Sequence, residues 1–207
     1  MTEKHGIDIS HWNKVINFDR ASGDIDFVIL KAGGSDKGFY TDNTFEKYYH
    51  EFHEIRQIPT GAYYFVGRMC IDYKSGVADA IRMLDIINGK KFEFPIYIDL
   101  ESTSPKHIVG ATEACKGFCD TIEKAGYYAG IYASDISGFK DRLFLKELER
   151  YDKWVARYGS RPTYVKEYGI WQSSSKGRVD GINGNVDVDV CFKSYPEIMK
   201  RAHLNGY

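Results

Sequence analysis

Short apolar runs recur along the chain at residues 6–9, 27–31, 60–65, 94–99, 127–132, 153–156, 168–172 and 186–190, spaced about every 20 to 35 residues. Several are followed by a segment with helical periodicity: 41–57, 74–88, 108–125 and 140–149, with a last stretch at 195–202. Strand followed by helix, repeated, is the rhythm of a parallel α/β fold, because parallel neighbours need a crossover connection. The late strands lie too close together for full helices between them. The spacing therefore predicts an α/β fold: an irregular TIM-like (β/α) barrel of about eight strands, with helices mainly after the first five and tight, partly antiparallel connections at the end. A chain of 207 residues supports one sizeable core, and no repeat, low-complexity tract or linker divides it, so residues 1–207 are expected to form a single domain. Asn88-Gly89-Lys90-Lys91 and Gly181-Ile182-Asn183-Gly184 read as turns.

In such barrels chemistry gathers at the carboxyl ends of strands. The run Phe94-Pro95-Ile96-Tyr97-Ile98 stops abruptly at Asp99-Leu100-Glu101. Side chains of an extended chain alternate faces, so Asp99 and Glu101 point the same way and Leu100 enters the opposite layer. Two carboxylates that close repel, and one should keep its proton to higher pH than a free carboxyl, as a general acid near neutrality must. A strand leaving the core into a polar loop would show the same two acids, both solvated. Asp8 lies near the end of the first strand, and Asp187 and Asp189 lie in the last. In a closed barrel those strands are neighbours, which would bring Asp8 and Asp187 together across the mouth from the central pair.

Composition narrows the partners. Lys plus Arg is 28 against 29 Asp plus Glu, so no global field pulls the protein onto nucleic acid. No apolar stretch approaches the ~20 residues of a spanning helix, so membrane insertion is not expected. Met1-Thr2-Glu3-Lys4-His5-Gly6 has no apolar signal core, so the chain reads as a soluble product without a Sec-type signal. Cys70, Cys115, Cys119 and Cys191 are too sparse and irregular for a disulfide framework and read as reduced thiols. Cys115 and Cys119 have no companion pair at metal-ligand spacing, and His50 and His53, one helical turn apart, read as a solvated face. The 16 Tyr, 12 Phe and 3 Trp suit a groove that grips flat, amphipathic ligands such as sugars.

Carboxylates without His or Cys beside them fit either a hard cation or cleavage of a glycosidic bond. A calcium loop packs its ligands at alternating positions around a central glycine, whereas Asp8, Asp99, Glu101 and Asp187 are scattered over the chain. A magnesium site would lack a phosphate cradle, Ala32-Gly33-Gly34-Ser35-Asp36 being only a loose likeness, and no Gly-x-Ser-x-Gly elbow is present. No metal and no cofactor is expected. Sugar hydrolysis accounts for both the acids and the aromatics.

The chain resembles the family 25 glycoside hydrolases, lysozymes that act as N-acetylmuramidases and include many phage endolysins. Gly6-Ile7-Asp8-Ile9-Ser10-His11-Trp12 is similar to the family's opening segment, and Phe27-Val28-Ile29-Leu30-Lys31-Ala32 to its Lys-Ala strand. Thr60-Gly61-Ala62-Tyr63-Tyr64-Phe65 resembles the Gly-x-Tyr-His-Phe strand, and Ile98-Asp99-Leu100-Glu101 the Asp-x-Glu signature. Gly130-Ile131-Tyr132 and Trp154-Val155-Ala156-Arg157-Tyr158 fit the fifth and sixth strands. Ile170-Trp171-Gln172-Ser173-Ser174, Gly177-Arg178-Val179-Asp180-Gly181-Ile182 and Asn185-Val186-Asp187-Val188-Asp189 match the closing run. The likeness covers residues 6 to about 192. Two departures stand out: Tyr64 where the family has His, and Gly33-Gly34 where it has Thr-Glu.

The resemblance implies a peptidoglycan hydrolase that cleaves the β-1,4 bond between N-acetylmuramic acid and N-acetylglucosamine. Carried over by position, it makes Glu101 the general acid and Asp99 its close partner, facing the 2-acetamido group or the charge developing at the anomeric carbon. Asp8 and Asp187 would complete the negative mouth. On physical grounds the acid nearer the apolar wall keeps its proton and the better solvated ones stay ionised. Covalent, acetamido-assisted and inverting routes all stay open, because they differ by carboxyl separation, about 5–5.5 Å when retaining and about 6.5–9.5 Å when inverting. Tyr64, Tyr132, Trp171 and Gln172 stand at strand ends and are expected to bind substrate, as is Lys31, which could also be a counter-charge for Asp8; Asp189 is a secondary candidate. Trp12 reads as a wall or lid. The resemblance implies cell-wall peptidoglycan as the partner, with an enzyme made in a bacterial host cytoplasm without a signal peptide and acting on the wall after release, and with a wall-binding module absent from this chain.

Overall fold

All eight expected strands form in the computed structural model, which describes residues 3–207. Met1 and Thr2, part of the segment read above as lacking an export signal, lie outside the described residues. The first half of the chain gives β1 (Lys4–Ile9), β2 (Lys14–Val15), α1 (Phe18–Gly23), β3 (Phe27–Gly34), β4 (Tyr40–Thr41) and α2 (Phe45–Tyr48). A π-helical stretch (Tyr49–Ile55) continues α2, followed by β5 (Thr60–Phe65), α3 (Tyr73–Ile87) and β6 (Ile96–Asp99). The second half gives α4 (Ile108–Lys124), β7 (Ala129–Ser134), β8 (Asp152–Ala156), β9 (Ile170–Gly177), β10 (Ile182–Asn183), β11 (Val186–Cys191) and α5 (Tyr195–Ala202).

Strands β1, β3, β5, β6, β7, β8 and β9 pair in parallel in that order. The last strand, β11, runs antiparallel to both its neighbours, β9 and β1, and so closes the ring. Closure leaves no free edge in the main barrel and, because β11 is reversed, brings its first residues to the face where the parallel strands end. The segment 181–184, read as a turn, holds the two-residue β10, which pairs with β2 between positive-φ glycines.

The core has two layers. Side chains of one parity pack between barrel and helices: Val28, Leu30, Ala62, Tyr64, Ile98 and Ile131 belong to it, with Phe118 of α4. The opposite parity fills the barrel: Phe27, Ile29, Tyr63, Tyr97, Tyr132, Trp154 and Ile170, stoppered at the amino-terminal end by Tyr195 and Met199, one turn apart on α5. Phe45, Tyr48, Tyr49 and Phe52 form a buried stripe at helical spacing, which is why 45–55 winds as helix. Helices α3 and α4 touch backbone to backbone: a Cβ on Gly76 would lie 2.0 Å from the Ala114 carbonyl oxygen, and one on Gly117 2.1 Å from that of Tyr73. All four cysteines are buried and free, as read from their spacing.

Two expectations fail. Residues 140–149 form no regular helix; a π-helical turn (Asp135–Lys140) and a 3-10 turn (Leu145–Leu148) stand there instead. The buried positions Phe139, Leu143 and Leu148 do not follow one helical face, and the Phe144 N–H is taken by the Thr112 hydroxyl at 2.9 Å. His53 is not on a solvated face: it stacks on Tyr49 at 4.6 Å and meets Glu93 at 3.2 Å, while His50 stays exposed beside Glu54.

Candidate active site

The barrel's inner parity, followed toward its mouth, ends in polar side chains around a cleft of about 730 Å³. Asp8 comes from β1, Lys31 from β3, Asp99 from the last position of β6, Glu101 two residues beyond it, Tyr132 from β7, Gln172 from β9 and Asp187 from the start of β11. Asp8 and Asp187 face each other in the β1–β11 register, as closure of the barrel requires. The four acids scattered through the sequence therefore share one cavity. Trp154 forms the floor, its ring 4.3 Å from Tyr132, 5.3 Å from Tyr97 and 5.9 Å from Tyr63.

Gln172 organises one side. It is buried, its Nε2 donates to Asp8 Oδ2 at 2.7 Å, and its Oε1 accepts from the Tyr132 hydroxyl at 2.8 Å and the Tyr158 hydroxyl at 3.1 Å. Tyr158 is held on the wall by a loop whose anchor is Asp135. That carboxylate accepts from the backbone N–H groups of Thr163, Tyr164 and Val165 and from Arg157. Lys31 lies on the other side, its Nζ 4.6 Å from the Phe65 ring centre and 5.7 Å from that of Tyr40.

The acids differ in surroundings, and so in proton affinity. Asp99 is 4% exposed and raised well above an ordinary carboxylate, by burial first and by the Glu101 charge second, with Lys31 opposing. Glu101 stands exposed at the rim; burial of its carboxyl in the cleft raises it, against a hydrogen bond from Asp99 and the charges of Arg142 and Lys31. Asp187 is pushed up to about 6 by burial and the Glu101 charge. Asp8 is raised by burial and by Asp187, with hydrogen bonds from Gln172 and Asp189 pulling the other way. Asp99 is thus the deeper acid of the pair and Glu101 the better solvated one, and both are raised. The Asp99 Oδ1, buried without a hydrogen-bond partner among the described residues, fits an acid of that kind.

Several sequence candidates move. Tyr64 does not face the mouth: β5 places Tyr63 and Phe65 inside, so Tyr64 points into the helix layer, 6.5 Å from Phe118, and donates to the Gly34 carbonyl at 2.9 Å. Trp171 and Gln172 are adjacent on one strand and cannot both face inward; Trp171 turns outward and donates to the Arg157 carbonyl at 2.7 Å. Lys31 acts on Asp99 and Glu101 rather than as the partner of Asp8. Asp189 lies beneath the cleft, bonded to the Trp154 indole N–H at 2.7 Å. Trp12 lines the rim and is 79% exposed.

Sequence reasoning did not single out His11, Asp42, Tyr63, Phe65 or Tyr158 as lining residues. His11 Nδ1 meets the buried Asp42 carboxylate at 2.7 Å, a pairing no local spacing announces. A second cavity of about 430 Å³, walled by Ser134, Ile136, Ser137 and Tyr158, shares Glu101, Tyr132 and Tyr158 with the first. The rim glutamate thus borders two spaces that a polymer could occupy. Among the described residues, no cluster of three His, Cys, Asp or Glu side chains is disposed to hold a metal ion.

Comparison with known proteins agrees with this architecture. The model of the Glycosyl hydrolases family 25 matches residues 7–182. The uncharacterized protein YegX of Escherichia coli K12 is 25% identical over 98% of this chain and 74% of its own length. The autolytic lysozyme of Clostridium acetobutylicum is also 25% identical, over 85% of this chain and 55% of its own. The CTP1L endolysin superposes with a TM-score of 0.81 at 25% identity, covering 96% of this chain and 70% of that one. The bacterial lysozyme from Streptomyces coelicolor shares the fold at a TM-score of 0.74 and 23% identity, over 98% of each chain.

Proposed function

Given that the chain belongs to the glycosyl hydrolases of family 25 and is thus a glycoside hydrolase, we propose that it cuts the β-1,4 bond between N-acetylmuramic acid and N-acetylglucosamine in bacterial peptidoglycan. The reading is carried by the meeting of Asp8, Asp99, Glu101 and Asp187 in one cleft. Glu101, at the rim between the two cavities, protonates the leaving oxygen of a glycan strand laid across it. Asp99 lies beneath, hydrogen-bonded to Glu101, and faces either the 2-acetamido group or the positive charge that grows at the anomeric carbon. Asp8 and Asp187 add negative potential opposite. Tyr132, Gln172 and Lys31 line the sugar path, and residues 1–207 act as a single catalytic domain, of which the family's model matches 7–182.

The relatives named as an autolytic lysozyme and an endolysin support a substrate in the bacterial wall. The experiment is digestion of purified walls, with new reducing muramic ends as the expected product. Glu101→Gln should lower kcat by about 10²–10⁴-fold, the usual contribution of a general acid. Release of free amino groups in place of reducing ends would make the enzyme an amidase or peptidase and defeat the reading.

A further inference from the structure

Beneath the cleft, outside the residues that line it, Asp189 is 1% exposed inside the barrel. Its register neighbours explain its isolation. Gly6 of β1 contributes no side chain, and Gln172 of β9 directs its Nε2 upward to Asp8. The Oδ1 of Asp189 accepts the Trp154 indole N–H at 2.7 Å. The Oδ2 is fully buried and meets no donor among the described residues. Its diagonal neighbour on the same sheet face is another carboxyl, Asp8, which stands opposite Asp187 in the β1–β11 register, and the two acids act on each other's proton affinity.

Two carboxyl groups can share a hydrogen bond only if one carries a proton, and two buried carboxylates in contact with no cation between them would be strongly unfavourable. The charges acting most on Asp189 are those of Asp8 on β1 and Asp187 on β11, both acidic; the Cys191 thiol is a further titratable neighbour, whereas β8 and β9 present the neutral Trp154 and Gln172. The proton belongs on Asp189 because it is the deeper group and because the Gln172 amide favours charge on Asp8. We propose that Asp189 is a positioning residue that stays protonated at neutral pH and donates its Oδ2–H to Asp8, fixing the Asp8 carboxylate, together with Gln172, at the mouth of the cleft. Asp189 does not touch the saccharide. A charged residue is not wanted there; a buried donor is.

The inference builds on Asp8 being part of the catalytic mouth, but protonation can be read without substrate. Asparagine reproduces the pattern of a protonated acid, with Oδ1 for the indole and Nδ2–H for Asp8, whereas leucine offers neither. Asp189→Asn should therefore keep kcat/KM within about threefold of wild type at neutral pH, and Asp189→Leu should lose about 30-fold or more, mostly in kcat. Infrared difference spectra at pH 7 give the direct readout. In an Asp99→Asn background, which leaves Asp8 and Asp189 as the buried acids at this end of the barrel, the carboxylic-acid carbonyl absorption owed to Asp189 should remain, and it should be lost in the double variant with Asp189→Asn. Absence of that band in the Asp99→Asn protein, or a folded but inactive Asp189→Asn enzyme, would overturn the proposal. If walls turn out not to be the substrate, the infrared result stands unaffected, so the two readings fail separately.

Discussion

Replacing Asp135 by alanine tests the anchor of the loop that carries Tyr158 to the cleft. Asp135 is 1% exposed and accepts from the Thr163 N–H at 2.8 Å, the Tyr164 N–H at 3.1 Å, the Val165 N–H at 2.9 Å and the Arg157 guanidinium at 2.8 Å. A hydrogen bond to a charged acceptor contributes about 1.5–3 kcal/mol, and a buried donor left unpaired costs about 1–3 kcal/mol. Thr163 and Tyr164 are exposed and Arg157 is half-buried, so water can replace the carboxylate for them; Val165 is buried and has no such recourse. Counting the buried bond in full and the others in part gives a loss of about 3–5 kcal/mol at pH 7, large beside the about 5–15 kcal/mol of a typical domain. Burial would raise the Asp135 carboxyl, but the bonds from Val165, Thr163, Arg157 and Tyr164 outweigh it and hold it below the ordinary value of 3.8. A depressed folded pKa contributes stability that is complete above the unfolded value and disappears as pH falls through the folded one. The gap between wild type and Asp135→Ala, read by urea unfolding, should thus be widest above about pH 5 and narrow toward pH 2. kcat/KM on walls should fall about tenfold as Tyr158 loses its position. A loss below about 1 kcal/mol at pH 7, or a gap that does not change down to pH 2, would refute the reasoning.

The cleft should show the opposite sign. Asp187 rises from 3.8 to about 6, equivalent to about 3 kcal/mol at full weight and about 1–2 kcal/mol after allowance for its partial exposure. For an acid with a raised folded pKa, stability is complete below the unfolded value and is lost as pH rises through the folded one; Asp187→Asn should accordingly unfold at higher urea than wild type at pH 7.5, with no gain at pH 3.5, while hydrolysis collapses. Tyr64→Phe should leave kcat and KM within about twofold of wild type and cost about 1 kcal/mol, the bond to the Gly34 carbonyl; a large kinetic effect would put Tyr64 back at the substrate.

Those last two variants mark the boundary of what the chain discloses before it folds. The barrel was legible because each strand is an apolar run of the right length and the intervals shorten toward the end. The acids were legible because Asp99 and Glu101 share parity at a strand end and because closure forces the first and last strands together. Parity itself was the weak point. In a parallel strand with both faces buried, Tyr63 and Tyr64 are equally apolar, and no alternation tells which one the barrel keeps inside. Trp171 and Gln172 posed the same choice, and the period of two alone allowed only one of them. The relative depth of the two acids was hidden as well, since the burial of Asp99 against the rim position of Glu101 depends on where the strand stops relative to its neighbours. The His11–Asp42 pair and the Asp135 anchor join residues 22 to 31 apart through side chains alone, with no periodicity to reveal them.

The reversed direction of β11 has a bearing on when catalysis can begin. The ring stays open between β1 and β9 until that strand slots between them, and its first residues carry Asp187 to the mouth while its middle carries Asp189 beneath Asp8. Contacts this distant along the chain form late, after their loop-closure entropy has been met. A nascent polypeptide that ends before Val186 carries Asp8, Asp99 and Glu101 but neither Asp187 nor Asp189. The four acids of the cleft can therefore come together only once the final strand has been made.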